Sequence, residues 1–307
     1  MAMHYPHPQA CFDFHLHTHW SYDATASVKQ YFQDAQRLQL RAIAITEHQT
    51  MDSWEDIQEA ARQFPSVRYV PAAEMTVTCS IGSVDMVCLN LPVPTPPELE
   101  AVFARYRKWQ CDYGDMLSEF YIKEGIPADR EFRHTLLQMY RPRKCIEKQG
   151  ITHVQNGVWR KTMLLNGWIK NQEELIRLEK KRWDEGYRIP YPEAESVLPL
   201  IRKLGGVVFI AHPKGYFKIC DQSRMDALRE ELQFDGIECS HSGFGCEISK
   251  FYRSYARKHK LLCTGGSDNH GSPYHVLLGV GGDHHAFAHH PGLPEDLEAI
   301  LERVTLF

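Results

Sequence analysis

The chain has 307 residues with an ordinary globular composition, 43% hydrophobic and 24% charged, and its net charge of -4 without a basic run argues against duplex binding. No apolar run approaches the roughly 18–20 residues that cross a bilayer, and residues 1–10 lack the pattern of a signal peptide, so we expect no membrane partner. The nine cysteines follow no disulfide or Cys-x-x-Cys spacing, which favours a reducing compartment and predicts a cytoplasmic protein.

Short apolar strands alternate with amphipathic helices in the first 92 residues. The pattern predicts strands at residues 11–16, 42–46, 68–73 and 84–91, and helices at residues 28–38 and 52–63. Ser27 is placed to cap the first helix, in which Val28, Tyr31, Phe32, Ala35 and Leu38 share one face. This alternation predicts βαβ units and a mostly parallel sheet.

A proline-rich stretch interrupts this pattern after residue 91. Four prolines lie within residues 92–97, and a second pair, Pro190 and Pro192, follows about a hundred residues later. Between them, charged and aromatic residues dominate, and residues 98–123 and 171–184 are typical of helices. We therefore predict that residues 93–192 form a mainly helical insertion in a domain built from residues 1–92 and 193–307.

Strands and helices alternate again in the last third of the chain. The pattern predicts helices at residues 193–204, 223–232, 247–259 and 295–303, and strands at residues 207–211, 236–239 and 261–264. Gly205 and Gly206 mark the end of the first of these helices. No internal repeat is visible.

Histidine and carboxylate residues fall at the carboxyl ends of the predicted strands. They are His15, His17, His48, Glu74, His212, Asp268 and His270, and Asp23 lies in the loop after the first strand. Strand ends converge on one face of a βα barrel, where chemistry collects. Imidazole and carboxylate ligands suit Zn²⁺, Mn²⁺ or Fe, and the number of candidates exceeds the roughly four that one ion needs. We therefore predict two or three divalent ions, with Glu74 as a bridging ligand, in an arrangement that activates water for hydrolysis of a phosphoester.

Five motifs together resemble the PHP (polymerase and histidinol phosphatase) superfamily. They are Asp13-Phe14-His15-Leu16-His17-Thr18, Ile45-Thr46-Glu47-His48, Ala73-Glu74, Ala211-His212-Pro213 and Gly266-Ser267-Asp268-Asn269-His270. The resemblance covers residues 11–92 and 193–282. It implies an α/β fold, a distorted seven-stranded (β/α) barrel, that holds two or three metals.

The resemblance also implies how the ligands are shared. His15, His17, Glu74 and Asp268 would hold one ion, Glu74 and His212 a second, and Asp23, His48 and His270 a third. The layout is most similar to the branch of nucleoside 3′,5′-bisphosphate phosphatases and 5′-to-3′ oligoribonucleotide exonucleases. In that branch a histidine usually stands at the position of Asp85, so a carboxylate replaces a ligand of the second ion. Glu47 stands where many members have aspartate, and His153 or Gln155 could match a histidine of the branch.

These features predict a metal-dependent hydrolase that acts on a phosphate monoester through metal-activated water. The expected substrate is a small phosphorylated molecule, a nucleotide first and a short single-stranded oligonucleotide second. His241, which matches a branch histidine, and His212 would donate a proton to the leaving group or orient the phosphate. Histidinol phosphate or another small phosphate ester is the alternative substrate. A non-catalytic metal-binding module, favoured only by Asp85, is the alternative class, and the oligomeric state is left open.

Three further features have simpler interpretations. The basic run 141–144 is interpreted as a surface turn rather than a phosphate site. The aromatic residues of 93–192 are expected mainly to pack the insertion, although one of them could stack on a base. The clusters 283–285 and 289–290 are interpreted as an exposed loop.

Overall fold

The structure, a computed structural model, describes residues 7–217, 220–271 and 286–307. The seven strands of this part are β1 (Phe12–Asp13), β2 (Ala42–Ile43), β3 (Ala72–Cys79), β4 (Gly82–Leu89), β5 (Val207–Ile210), β6 (Gly236–His241) and β7 (Leu262–Gly266). The helices before β5 are α1 (Val28–Leu38), α2 (Trp54–Gln63), α3 (Pro97–Lys123), α4 (Arg130–Gln138), α5 (Arg143–Gln149), α6 (Asn156–Leu165), α7 (Gln172–Asp184) and α8 (Leu198–Lys203). The helices after β5 are α9 (Gln222–Leu232), α10 (Cys246–His259) and α11 (Pro294–Leu301).

The strands form two hydrogen-bonded sheets. β1 and β2 are parallel, and the other five strands lie in the order β3-β4-β5-β6-β7. β5, β6 and β7 are parallel, whereas β4 runs antiparallel to both β3 and β5. The prediction of βαβ units is therefore wrong for β3 and β4, which form a hairpin that turns at Gly82, with φ of 113°.

Isolated contacts connect the edges of the two sheets. Leu16 forms a bridge with Asn269, and His48 forms one with Glu74. The backbone near Gly266 approaches that of His15 so closely that a Cβ at position 266 would lie 2.2 Å from the Cβ of His15. These contacts do not make one continuous ladder, so the structure shows a mixed α/β fold, and the closed barrel remains a prediction.

The amphipathic helices pack as their sequences predict, with one exception. Ser27 caps α1 by accepting a hydrogen bond of 3.1 Å from the backbone N–H of Gln30. The predicted apolar face is buried except for Leu38, which is partly buried. The single helix predicted at residues 193–204 is instead a 3-10 turn followed by α8. The reason is Pro199, which lacks an N–H group and is tolerated only in the first turn of a helix.

Residues 97–184 carry the five helices α3 to α7. These helices surround an apolar core that includes Phe120, Leu137, Trp159 and Met163. The first half of α3 also packs against the sheet, where Tyr106 donates a hydrogen bond of 2.7 Å to the carbonyl of Thr76. The assignment of residues 93–192 as an insertion in the domain remains a prediction. No helix among the described residues has both the length and the apolar character that a bilayer span requires.

Candidate metal centre

The predicted ligands come from six separate stretches of the chain and lie together at one edge of the sheets. His15 and His17 follow β1, His48 follows β2, and His212 follows β5. Asp268 and His270 follow β7, and Asp23 lies in the loop between β1 and α1. Glu74 is an exception to the expected placement, because it is the third residue of β3 and does not end a strand. The bridge between Glu74 and His48 brings it to the same edge.

Glu74 lies at the centre of the histidines. Its Oε1 is 3.1 Å from Nε2 of His15 and 3.3 Å from Nε2 of His212. Its Oε2 is 3.4 Å from Nε2 of His17 and 3.0 Å from Nδ1 of His48. The carboxylate is only 1% exposed, so these four imidazoles surround a charge that is withdrawn from water.

Two aspartates complete the arrangement. Oδ1 of Asp268 is 3.5 Å from Nε2 of His15 and 3.3 Å from Nε2 of His17. Oδ2 of Asp23 is 3.3 Å from Nε2 of His48 and 3.6 Å from Nε2 of His270. The structure therefore brings together eight of the nine predicted ligands, five histidines around three carboxylates. Of these carboxylates, Glu74 is buried, and Asp23 and Asp268 are 14% and 18% exposed.

Three groups of these residues have ligand atoms close enough to hold one ion each. The groups are His15, His17 and Asp268; His15, Glu74 and His212; and His17, His48 and His270. Within each group the ligand atoms lie within 4.8 Å of one another. Nε2 of His15, Nε2 of His17 and Nδ1 of His48 are buried and form no hydrogen bond of good geometry with any described residue. Since buried polar atoms normally have a partner, these nitrogens fit the role of metal ligands.

In His15 and His17, the ring nitrogen that points away from Glu74 contacts a second residue. Nδ1 of His15 lies 3.0 Å from Oε1 of Glu238, and Nδ1 of His17 lies 3.2 Å from Oγ of Ser21. Oε2 of Glu238 also accepts a hydrogen bond of 2.6 Å from the backbone N–H of His212. Partners of this kind fix the tautomer and orientation of metal-binding imidazoles. The sequence interpretation missed Glu238; the available signal was a carboxylate inside the apolar strand β6.

The electrostatics of the cluster separate the histidines into two kinds. Burial, reinforced by His48 and His270, lowers the pKa of His17 to about 3, so its imidazole is neutral. Burial also lowers the pKa of His15, but Glu74, Glu238 and Asp268 outweigh it and hold that pKa well above its usual value. His15 must therefore lose a proton before it can bind a cation.

Asp85 differs from the other predicted ligands. Its Oδ2 is 3.9 Å from Nε2 of His212, and it belongs to none of the three groups. Its Oδ1 accepts a hydrogen bond of 2.6 Å from the hydroxyl of Thr76, and its Oδ2 lies 3.3 Å from the hydroxyl of Tyr216. Burial and the nearby Glu74 raise the pKa of Asp85. Asp85 borders the centre, and its role as a ligand remains a prediction.

Two of the predicted ligands have unusual backbone conformations. His212 has φ of 28° and Asp268 has φ of 55°, both in the left-handed region that favours glycine. Non-glycine residues held in this region are concentrated at functional sites, where the surrounding structure enforces them.

His241 lies beside the metal centre in a cavity of about 700 Å³. The cavity is also lined by His212, Lys214, Tyr216 and Asp268. Nδ1 of His241 accepts a hydrogen bond of 3.0 Å from the backbone N–H of Gly243, so a neutral ring carries its proton on Nε2. That nitrogen is 3.5 Å from Oδ2 of Asp268. The sequence interpretation did not identify Lys214, whose position after β5 was its only signal.

The structure corrects two interpretations of surface residues. Arg141 is 3% exposed and donates hydrogen bonds to Thr152 and to the carbonyl of Trp20, so it is not part of a surface turn. His290 is fully buried, with Nε2 2.8 Å from the carbonyl of Phe12, and is not in an exposed loop. Residues 283–285 lie outside the described residues.

Comparisons with known proteins bear on this geometry. Residues 13–82 match the model of the PHP domain. This PHP segment carries five of the nine predicted ligands, from His15 to Glu74. No curated protein matches the chain.

Two solved structures share the fold. A protein from Bifidobacterium adolescentis, described as a candidate metal-dependent phosphoesterase, is 21% identical, with a TM-score of 0.70, and the match covers 97% of this chain and 98% of that one. A protein from Chromobacterium violaceum, described as an amidohydrolase with bound sulfate and no metal, is 17% identical, with a TM-score of 0.72 and coverage of 96% and 98%. At these identities the likeness shows that the fold extends beyond the PHP segment to nearly the whole chain.

Proposed function

We propose that the chain is a metal-dependent phosphoesterase of the PHP superfamily that hydrolyses a phosphate monoester. The leading substrate class is a nucleotide, as in the branch of 3′,5′-bisphosphate phosphatases, and a short single-stranded oligonucleotide comes next. The observation that carries the proposal is the position of Glu74, whose two oxygens lie within 3.4 Å of histidines from all three groups. The match of residues 13–82 to the PHP domain supports it.

The proposed ligand sets are those that the resemblance implies, and each shares at least two residues with one of the three groups. One ion would be held by His15, His17, Glu74 and Asp268, a second by Glu74 and His212 with Asp85 nearby, and a third by Asp23, His48 and His270. The donor atoms suit Mn²⁺, Zn²⁺ or Fe. When bound, such ions lower the pKa of water and offset the charge of a phosphate. The bridges of Leu16 with Asn269 and of His48 with Glu74 support the further proposal that the seven strands close into a barrel with this site at one end.

Residues around the ligands would bind and protonate the substrate. Lys214 lines the cavity beside the centre, where an ammonium group can bind a phosphate oxygen. His241 has Nε2 3.5 Å from Oδ2 of Asp268 and is the proposed proton donor to the leaving alkoxide. It must act as the imidazolium, with Nδ1 released from the Gly243 N–H, because a neutral ring that gave up its proton would be left as an imidazolate. His212 would orient the phosphate from the other side of the cavity, since the two rings are 5.8 Å apart.

The proposal is tested by metal analysis together with phosphate release. The purified chain is loaded with Mn²⁺, Zn²⁺ or Fe²⁺, and a panel is assayed that contains nucleoside monophosphates, nucleoside 3′,5′-bisphosphates, histidinol phosphate and a short oligonucleotide. We expect two or three ions per chain and release from a nucleotide that is lost in His17→Ala. His134→Ala is the control, because His134 lies on α4 outside the three groups.

Each alternative has its own outcome. Preferred hydrolysis of histidinol phosphate would replace the nucleotide as substrate. Bound metal without hydrolysis of any ester would overturn the phosphoesterase and favour a non-catalytic metal-binding module.

A further inference from the structure

A second cavity, of about 740 Å³, lies between the helical segment and the hairpin of β3 and β4. We call it the aromatic cavity, because five large rings line it: Tyr22, Trp109, Tyr113, Trp183 and Tyr191. Its volume is in the range of pockets that enclose small-molecule ligands. Nothing in the proposed chemistry of the metal centre uses it.

Three of the five rings of the aromatic cavity pack against one another. Trp109 stacks on Tyr113 at 5.0 Å between ring centroids and on Tyr191 at 3.9 Å. The indole N–H of Trp109 donates a hydrogen bond of 2.9 Å to the carbonyl of Pro190, which ties α3 to the segment that carries Tyr191. A preformed set of rings can stack on a planar ligand without first ordering flexible side chains.

Tyr22 is the wall between the aromatic cavity and the metal centre. Its ring centroid is 3.9 Å from that of His153, which also lines the cavity, and 5.4 Å from that of His48. The next residue in the chain is Asp23, a proposed ligand. The aromatic cavity and the metal centre are therefore adjacent, with the Tyr22 ring between them.

Two guanidinium groups lie beside the rings of the aromatic cavity. Arg182 is paired with Glu179 at 2.9 Å, Arg188 is the second, and no carboxylate residue is among the described residues that line the cavity. Arg188 is mostly exposed and lies over the ring of Trp183, with its guanidinium carbon 4.9 Å from the ring centroid. Aromatic faces combined with guanidinium groups are the surface that binds bases and phosphates together.

We infer that the aromatic cavity binds the nucleobase of a nucleotide whose phosphate lies at the metal centre. The cavity then selects esters that carry a planar aromatic ring over esters of a sugar alone. This assignment rests on the proposed function for the phosphate end of the molecule, while the base end is tested separately.

The test compares adenosine 5′-monophosphate with ribose 5-phosphate on the metal-loaded chain. Both carry the same ester, and only the first carries a base. From the strength of base stacking on aromatic residues, we expect kcat/KM to favour the nucleotide about 5- to 150-fold. Tyr191→Leu should bring this ratio toward one, and Tyr191→Phe should retain it. Tyr69→Leu is the control, because the Tyr69 ring is partly buried against Phe307 and lies outside the cavity lining.

A binding measurement separates the two proposals. Calorimetry with adenosine, which carries no phosphate, should show binding that Tyr191→Leu and Tyr113→Leu each weaken. Equal kcat/KM for the two esters, or adenosine binding unchanged in both variants, would overturn the assignment of the cavity. If neither ester is hydrolysed but adenosine still binds in a manner that depends on Tyr191, the phosphoesterase fails and the base site is supported.

Discussion

Replacement of Glu238 by glutamine tests whether the residue that contacts Nδ1 of His15 affects metal binding. Glu238 is fully buried and accepts from two groups at once, Nδ1 of His15 at 3.0 Å and the backbone N–H of His212 at 2.6 Å. Glutamine has nearly the same shape but only one acceptor oxygen, so one of these contacts would meet an amide NH₂ instead. The substitution therefore changes charge and hydrogen bonding with little change in packing.

The expected effect is a loss of metal affinity with a defined pH dependence. Loss of a partner behind a metal-binding histidine typically costs 10- to 100-fold in affinity, or about 1.4–2.7 kcal/mol. In the native chain, burial lowers the pKa of His15, but the larger combined effect of Glu74, Glu238 and Asp268 raises it above its usual value. Metal binding must therefore displace a proton from His15, and metal affinity should increase as pH rises. In Glu238→Gln that proton is held less tightly, so at pH 6 proton competition weakens metal binding less in the variant than in the native chain. At pH 9 this compensation disappears, and the loss of affinity should therefore be larger at pH 9 than at pH 6.

The assay is competition of Mn²⁺ or Zn²⁺ against a fluorescent chelator, repeated across this pH range. Glu247→Gln is the matched control, since Glu247 lies on α10 with a side chain that is 86% exposed. An affinity in Glu238→Gln within twofold of the native value at every pH would refute the reasoning. The circular dichroism spectrum of the metal-free variant checks that the fold is retained.

Two further substitutions test the close approach at the sheet edge and the burial of His153. Gly266→Ala would place a Cβ 2.2 Å from the Cβ of His15, so we expect the free energy of unfolding in urea to fall by about 3 kcal/mol. Gly245→Ala is the control, because its Cβ would meet nothing within 4 Å, and its loss should be less than about 1 kcal/mol. Equal losses in the two variants would contradict this reason. Burial lowers the pKa of His153 from 6.5 to about 3, so the unfolded chain binds more protons in this range and stability falls as pH drops below 6.5. His153→Leu should remove about 1–2 kcal/mol of the loss between pH 6.5 and 5 in the metal-free chain, and an unchanged pH profile would show that His153 is not held neutral.

The sequence was sufficient to predict where the candidate ligands that follow strands lie, for a simple reason. His15, His48 and His212 each come soon after a short apolar run, and strand ends are set by local pattern. Glu74 was placed at the correct edge by a wrong argument. The turn signal between β3 and β4 is a single glycine, Gly82, which begins β4. Little in the local pattern therefore indicates that Glu74 lies in a hairpin strand and does not end a parallel one.

Residues that act through long-range contacts could not be predicted in this way. Arg141 belongs to a basic run that is locally typical of a surface turn, and only the fold brings it to the carbonyl of Trp20, more than a hundred positions earlier. Glu238 was visible as a carboxylate in an apolar strand, but its partner His15 lies 223 positions away. Local sequence patterns indicate the helices and strands and where they end, whereas contacts between residues far apart in the sequence depend on how the sheets are arranged.

The loop after β1 connects the helical segment to both proposed sites. The hydroxyl of Tyr140 donates a hydrogen bond of 2.7 Å to the carbonyl of Tyr22, and Arg141 binds the carbonyl of Trp20 on the same loop. Tyr22 forms the wall of the aromatic cavity, and Asp23 faces His48 in the metal centre. A change at the junction of α4 and α5 would therefore move a base-binding wall and a metal ligand together, although neither residue of that junction touches the ions or the substrate in the proposed complex.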